Sequence, residues 1–192
     1  MNRTERKRKI QNNVNCALLI ALEIIFTRFL SIQTPVLRIS FAFVPLALTG
    51  ILYGPLYGFM VGLSADILGM ILFSTGGFHP GITLVTAMTG MVYGLLLHRK
   101  PGEEKWTKSK VILRSVAAAF IINAFLEMGL NTLWLSQILH KGYLALLPAR
   151  AVKQVIMMGI QSVMLPIIVD TLAEQLLRLQ NRIENKSHMR MN

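Results

Sequence analysis

Several ionisable or amide side chains interrupt stretches that are otherwise apolar: Glu23, Arg28, Asp66, Asn123, Glu127, Asn131, Arg150, Lys153 and Gln154. A charge in hydrocarbon costs about 2.5 to 3.5 kcal/mol on insertion scales, so such groups turn toward a cavity or a partner. Asn123, Glu127 and Asn131 are each four apart and Trp134 follows three residues later. That spacing places them on one helix face. Arg150 and Gln154 stand in the same relation on a later segment. Together they offer cations for a carboxylate, amides and acids for the edge of a heterocycle, and an aromatic face for stacking. The competing reading is that Glu127 neutralises Arg150 or Lys153, and Glu23 neutralises Arg28, to hold helices together.

The surrounding chain is that of a polytopic membrane protein. Of 192 residues 53% are hydrophobic and 15% charged, and the mean hydropathy is +0.52. The formal net charge of +11 comes from 20 basic and 9 acidic residues. The basic residues gather at Arg3 to Lys9, Arg99 to Arg114 and Arg178 to Arg190, leaving long apolar runs between. A nucleic-acid partner is excluded on this pattern, which does not interleave basic residues with a foldable core. About 20 apolar residues cross the roughly 30 Å of hydrocarbon. Six spans are expected, at 14–32, 39–53, 55–73, 80–98, 111–139 and 144–178, giving an all-α membrane domain over 14–180. A basic segment 1–13 precedes it and a basic tail 181–192 follows. Tyr53-Gly54-Pro55 breaks the second span from the third, and Pro80 opens the fourth.

Cytoplasmic loops collect Lys and Arg. Five lie at the N-terminus, six after the fourth span and four in the tail, which puts both termini inside. The segments near 33–38, 74–79 and 140–147 then face outward, carrying Gln33, Arg38, Phe78, His79, His140, Lys141 and Tyr143. At 1.5 Å per residue, Arg28 lies about 7 Å, Arg150 about 10 Å, Asn131 about 12 Å and Glu127 about 18 Å from the outer helix ends. Apart from Glu127 and Asn123 near the midplane, the polar set sits in the outer half, which packing alone does not require. A cleaved signal peptide is the weaker reading of the first 30 residues, because Glu23 and Arg28 interrupt the apolar run and no small-residue cleavage site follows.

Thr49-Gly50-Ile51-Leu52-Tyr53-Gly54 echoes Thr89-Gly90-Met91-Val92-Tyr93-Gly94. Either a two-helix unit is repeated, or both ends need small residues for close packing, and the second is favoured. Gly50, Gly54, Gly58 and Gly62 extend that small-residue pattern. No glycine-rich segment ends in Gly-Lys-Ser/Thr, Gly62-Leu63-Ser64-Ala65-Asp66 lacks the Gly-x-Ser-x-Gly elbow, and no His-Glu-x-x-His occurs. Four scattered histidines and the lone Cys16 provide neither a metal site nor a disulfide, and no enzyme or cofactor is expected.

Arg28-Phe29-Leu30-Ser31-Ile32, Thr34 to Pro45, Leu63-Ser64-Ala65-Asp66 and Phe78-His79-Pro80-Gly81 resemble the substrate-binding S component of energy-coupling factor vitamin transporters. Asn131-Thr132-Leu133-Trp134 and Leu146-Leu147-Pro148-Ala149-Arg150 resemble its folate-type branch. The resemblance implies a six-helix subunit of the bacterial plasma membrane that captures a folate-like vitamin from outside. It also implies a transmembrane coupling subunit and two cytoplasmic ATPases as partners. The family's Ala-x-x-x-Ala contact with the coupling subunit is matched by Ala17 and Ala21; spacing alone reads as helix packing. The expected substrate-binding residues are Arg28, Arg38, Asp66, Phe78, His79, Glu127, Asn131, Trp134 and Arg150. The glutamate tail would meet Arg38, His79 or Lys141, and the pterin edge Glu127, Asn131 or Asp66. An S component for another vitamin, an ion-driven carrier using Glu127 or Asp66, and a ligand-free scaffold are the alternatives.

Overall fold

The computed structural model describes residues 3–33, 38–73, 79–99 and 106–173, so the expected tail 181–192 and the end of the sixth span lie outside the described residues. The chain runs through α1 (Arg3–Arg28), β1 (Ser31–Gln33), β2 (Arg38–Ser40), α2 (Phe43–Tyr53), α3 (Pro55–Leu72) and α4 (Pro80–Leu97). Next come α5 (Lys108–Phe120), a π-helical stretch Ile121–Asn131 and α6 (Thr132–Ile138), which join into one span, Lys108–Ile138. Last is α7 (Tyr143–Ile167), continued by a second π-helical stretch, Ile168–Ala173. Five spans are long and apolar enough to cross a bilayer, and α2, with 11 residues, is the shorter sixth.

The second span differs from its expected form. In place of a helix from 39, an antiparallel hairpin pairs Ser31 with Ser40, Ile32 with Ile39 and Gln33 with Arg38 before α2 begins. At 1.5 Å per residue α2 covers only about 17 Å, and extended chain completes the crossing. Non-helical backbone at such depth is tolerated where protein or water surrounds it and its polar groups are paired, and the strand pairing supplies those partners here.

Side chains are distributed for a lipid solvent. Leu18, Leu22, Ile25, Leu56, Met60, Ile71, Val152, Val155, Val163 and Ile167 are exposed. On α7, Leu146, Arg150, Gln154, Met157, Gln161 and Leu165 are buried at three- and four-residue spacing, a single inward stripe rich in polar groups. Asn123 donates to Gln161 Oε1 at 2.8 Å and to the Ala119 carbonyl at 2.8 Å, so this amide pair stitches the fifth span to α7.

The echoed glycine segments pack against each other, in line with the close-packing reading. A Cβ on Gly50 would lie 2.6 Å from Gly94 N, and one on Gly58 would run into the Gly90 carbonyl, so α2, α3 and α4 approach backbone to backbone. Thr49 and Thr89 are buried in the seam, each returning its hydroxyl to a carbonyl four residues earlier at 2.9 Å.

One end of the bundle gathers Asn15 against the Tyr53 hydroxyl (2.9 Å), His98 Nδ1 against the Ile51 carbonyl (2.8 Å) and Arg114 against the Leu96 carbonyl (3.2 Å). Both α1 and α5 begin with their basic residues at this end, which marks it as the cytoplasmic end. Gly54 makes the α2–α3 turn there with φ 91° and ψ −179°, a conformation open essentially to Gly alone. Gly54→Ala is therefore expected to destabilise the protein by about 1 to 3 kcal/mol, read as a lower melting temperature of the detergent-solubilised protein.

Candidate functional site

Glu127 is the centre of the polar cluster. Its Oε2 accepts from Asn131 Nδ2 at 2.9 Å, Gln154 Nε2 at 3.3 Å, Arg150 Nη2 at 3.4 Å and Lys153 Nζ at 3.4 Å. Two cations thus meet one carboxylate, leaving an excess positive charge in the outer half of the bundle. The ion-pairing reading holds for Glu127, yet it does not exhaust this carboxylate. Its side chain keeps 24% exposure while those of Arg150 and Lys153 keep 5% and 10%, and among the described residues no hydrogen bond reaches Oε1.

Local backbone geometry presents this residue. Glu127 lies within the π-helical stretch, where the helix widens. Its carbonyl receives Thr132 Oγ1 at 3.1 Å and Arg150 Nη2 at 3.3 Å, and the next carbonyl, of Met128, receives the Tyr143 hydroxyl at 3.2 Å. Side chains inserted among helical carbonyls are an identifiable cause of such distortion.

Trp134 lies two turns along toward the outer end. Its indole covers Gly81 so closely that a Cβ there would stand 2.6 Å from Cε2, and its ring centroid is 5.2 Å from that of His79. His79 caps α4, with Nδ1 accepting the Gly81 amide at 3.1 Å. One turn further down α4, Thr83 donates to Asp66 Oδ2 at 2.6 Å, tying α4 to α3. Three residues beyond Asp66, the Arg28 guanidinium lies over Gly69, where a Cβ would be 3.3 Å from Nε. Glu23 is buried and accepts from Thr27 at 3.1 Å.

The expected residues therefore form a chain of neighbours around the outer end of the bundle: Arg28 on Gly69 beside Asp66, Asp66 through Thr83 to α4, His79 and Trp134, then Asn131, Glu127 and Arg150. Arg38 enters through its backbone pairing with Gln33, while its side chain and all of Phe78 lie outside the described residues. Asn123 leaves the expected stripe to bond Gln161. Thr83 and Gly81, which set Asp66 and Trp134, were not singled out for those roles, because nothing in local spacing marks a cross-helix partner. Lys153 meets Glu127 as the ion-pairing reading expects, whereas Gln154 stands out in the sequence as an intramembrane polar residue but not as a member of the Glu127 cluster. Ala17 and Ala21 are exposed on α1. Ala17 lines a groove of about 400 Å³ between α1 and α3 with Asn13, Cys16, Tyr57, Met60 and Ser64.

Residues 7–174 match the family described as ECF-type riboflavin transporter, S component. A curated relative from Clostridium novyi (strain NT), named Folate transporter FolT, is 37% identical over 82% of this chain and 87% of its own length. A second of the same name, from Leuconostoc mesenteroides subsp. mesenteroides, is 29% identical over 76% of this chain and 77% of its own. The solved structure titled "Crystal structure of FolT bound with folic acid" superposes with a TM-score of 0.72 at 31% identity, covering 82% of this chain and 93% of that one. With inward polar stripes, an apolar outer girdle and a match along most of its length, this chain belongs to the S-component family of ECF-type transporters, a family of transporter subunits rather than enzymes.

Proposed function

We propose that this protein is the folate-binding S component of an ECF importer in a bacterial plasma membrane, capturing folate or a reduced folate from outside. The observation that carries the reading is the Glu127 cluster: a carboxylate held at Oε2 by two cations and two amides, with Oε1 left for a guest. A pterin presents adjacent N–H donors on one edge, and a fixed carboxylate is their natural acceptor. Asn131, whose amide nitrogen is engaged by Glu127, keeps its carbonyl for the same edge. Asp66 has Oδ2 occupied by Thr83 and Oδ1 in reserve. Trp134 and His79 supply stacking faces, Arg38 and Lys141 supply positive charge toward the mouth for the glutamate tail with His79 as a further hydrogen-bonding partner, and Arg28 stacks or pairs alongside the pterin. The Arg150 and Lys153 pair adds to that field. The names of the relatives and of the superposed structure favour folate among vitamins.

Delivery needs energy that this chain has no motif to extract. A transmembrane coupling subunit and two cytoplasmic ATPases are the partners the family implies. The exposed Ala17-x-x-x-Ala21 face lets another helix approach closely and is the contact assigned to the coupling subunit.

Titration of purified protein with folate is expected to show saturable binding that falls by at least about tenfold in both Arg28→Ala and Asn131→Ala, a loss of roughly 1.4 kcal/mol each. Unchanged affinity in both rejects the site. In vesicles holding this chain alone no folate accumulation is expected, and accumulation driven by an ion gradient would mark an autonomous carrier.

A further inference from the structure

Two buried polar atoms beneath the outer site are left over by the contacts described above. Tyr93 on α4 and Gln154 on α7 are 0% and 4% exposed, and among the described residues neither the Tyr93 hydroxyl nor Gln154 Oε1 has a hydrogen-bond partner. Such atoms are rare because burial without a partner is costly. The two are complementary: a hydroxyl has a proton to give, and an amide oxygen only accepts. The other end of the Gln154 amide, Nε2, donates to Glu127 Oε2 at 3.3 Å, so Oε1 stands one amide group away from that carboxylate. Helix geometry brings Tyr93 to the same level. Gly81, against Trp134, lies near the outer end of α4, and Tyr93 follows twelve residues later, about 18 Å toward the cytoplasm. Glu127 precedes Trp134 by seven residues, about 10 Å in the same direction. Helical side chains lean toward the N-terminus of their own helix, so Tyr93 reaches outward while Glu127, on a span running the other way, reaches inward. The remaining difference of about 8 Å thus closes from both sides, and the Glu127 charge acts on the Tyr93 hydroxyl.

We propose that one buried water joins the Tyr93 hydroxyl to Gln154 Oε1, and that this bridge, which rests on the folate-site reading above, holds Glu127 in place for its guest. The water accepts from Tyr93 and donates to Gln154. Two polar groups that share a carboxylate neighbour without touching each other are a setting for a bridging water, and two partners meet what a buried water needs. The bridge fixes the Gln154 amide. With Oε1 held by a donor, Nε2 must face Glu127, whereas the reversed amide would set an oxygen against the carboxylate. Tyr93 and Gln154 are therefore positioning residues that act through Glu127 and make no contact of their own with the vitamin.

The test is a double-variant cycle on the purified full chain, with Tyr93→Phe, Gln154→Met and both together, read by thermal melting without ligand and by folate titration. Tyr93→Phe removes one oxygen and keeps the ring. The bridge predicts a melting temperature about 2 to 4 °C lower in Tyr93→Phe. It predicts no further fall when the same change is made in Gln154→Met, because the acceptor is already gone. A melting temperature that rises in Tyr93→Phe, as removal of a buried hydroxyl with no partner would produce, overturns the bridge, and so do losses that add in the double variant. Folate affinity is expected to fall about fivefold in Tyr93→Phe. A lower melting temperature with unchanged affinity overturns the positioning role. Failure of the wild type to bind folate would defeat the folate reading instead, and the melting cycle would still decide the bridge. If Gln154→Met does not fold, crystals of the wild type decide: density for one water within hydrogen-bonding distance of both Tyr93 Oη and Gln154 Oε1 is expected, and a direct contact or no water overturns the proposal.

Discussion

Replacing Glu127 with Gln is expected to abolish measurable folate binding and to lower stability by about 3 to 5 kcal/mol, the cost of breaking a buried ion pair from one side. The side chain keeps its shape, so the loss is electrostatic. Arg150 and Lys153, with side chains 5% and 10% exposed, would face a neutral amide that cannot offset their charge. The same change removes the acceptor proposed for the pterin edge. Thermal melting with and without folate separates the two effects. The variant should melt lower than the wild type and gain nothing from added vitamin, whereas a purely structural Glu127 would give a lower melting point with the folate-induced rise intact. Removing one of the two cations in the same background, as in Glu127→Gln/Lys153→Met, should recover part of the stability without recovering binding. A well-packed apolar substitute often replaces a buried ion pair at little cost.

Trp134→Ala is the second large expectation. The indole lies flat against Gly81 and beside His79, so its removal opens a hole between α6 and the start of α4 and withdraws a stacking face from the proposed site. Truncation of a packed Trp costs about 3 to 5 kcal/mol of stability where the site is fully buried. Trp134 is only half-buried, and the lower end of that range is expected. Folate affinity should fall by about 10- to 100-fold, in proportion to the roughly 1 to 3 kcal/mol that a base–aromatic stack is worth. Trp134→Phe should recover most of the affinity, since a smaller ring still offers a π-face. An equal loss in the Phe and Ala variants would show that the indole acts through packing on Gly81 alone.

These two positions also show how far local sequence reaches. Glu127, Asn131 and Trp134 were legible as one helix face because three- and four-residue spacing survives whatever the helix later packs against. The crossings were legible for the same kind of reason: a bilayer demands a minimum apolar length, and charge between the runs sets their direction. The breaks at Gly54-Pro55 and Pro80 follow from backbone chemistry that belongs to those residues wherever they sit. Even the glycine echo could be assigned to close approach, although not that one copy would press against the other.

What packing alone supplied is everything that depends on a neighbour distant in the chain. The early hairpin, Ser31–Gln33 with Arg38–Ser40, takes the place of helix at the end of the first expected span and the start of the second, its backbone paired across the intervening residues. The widened stretch Ile121–Asn131 appears because Thr132, Tyr143 and Arg150 reach carbonyls within it, two of them from α7. Asn123 bonding Gln161, Thr83 fixing Asp66 and Gly81 flooring Trp134 are likewise contacts between separate helices. Periodicity tells which way a side chain faces along its own helix. It carries no information on which atom of another helix it will meet, and in a bilayer those meetings are chosen by helix packing and by the need of each polar group to find a partner away from lipid.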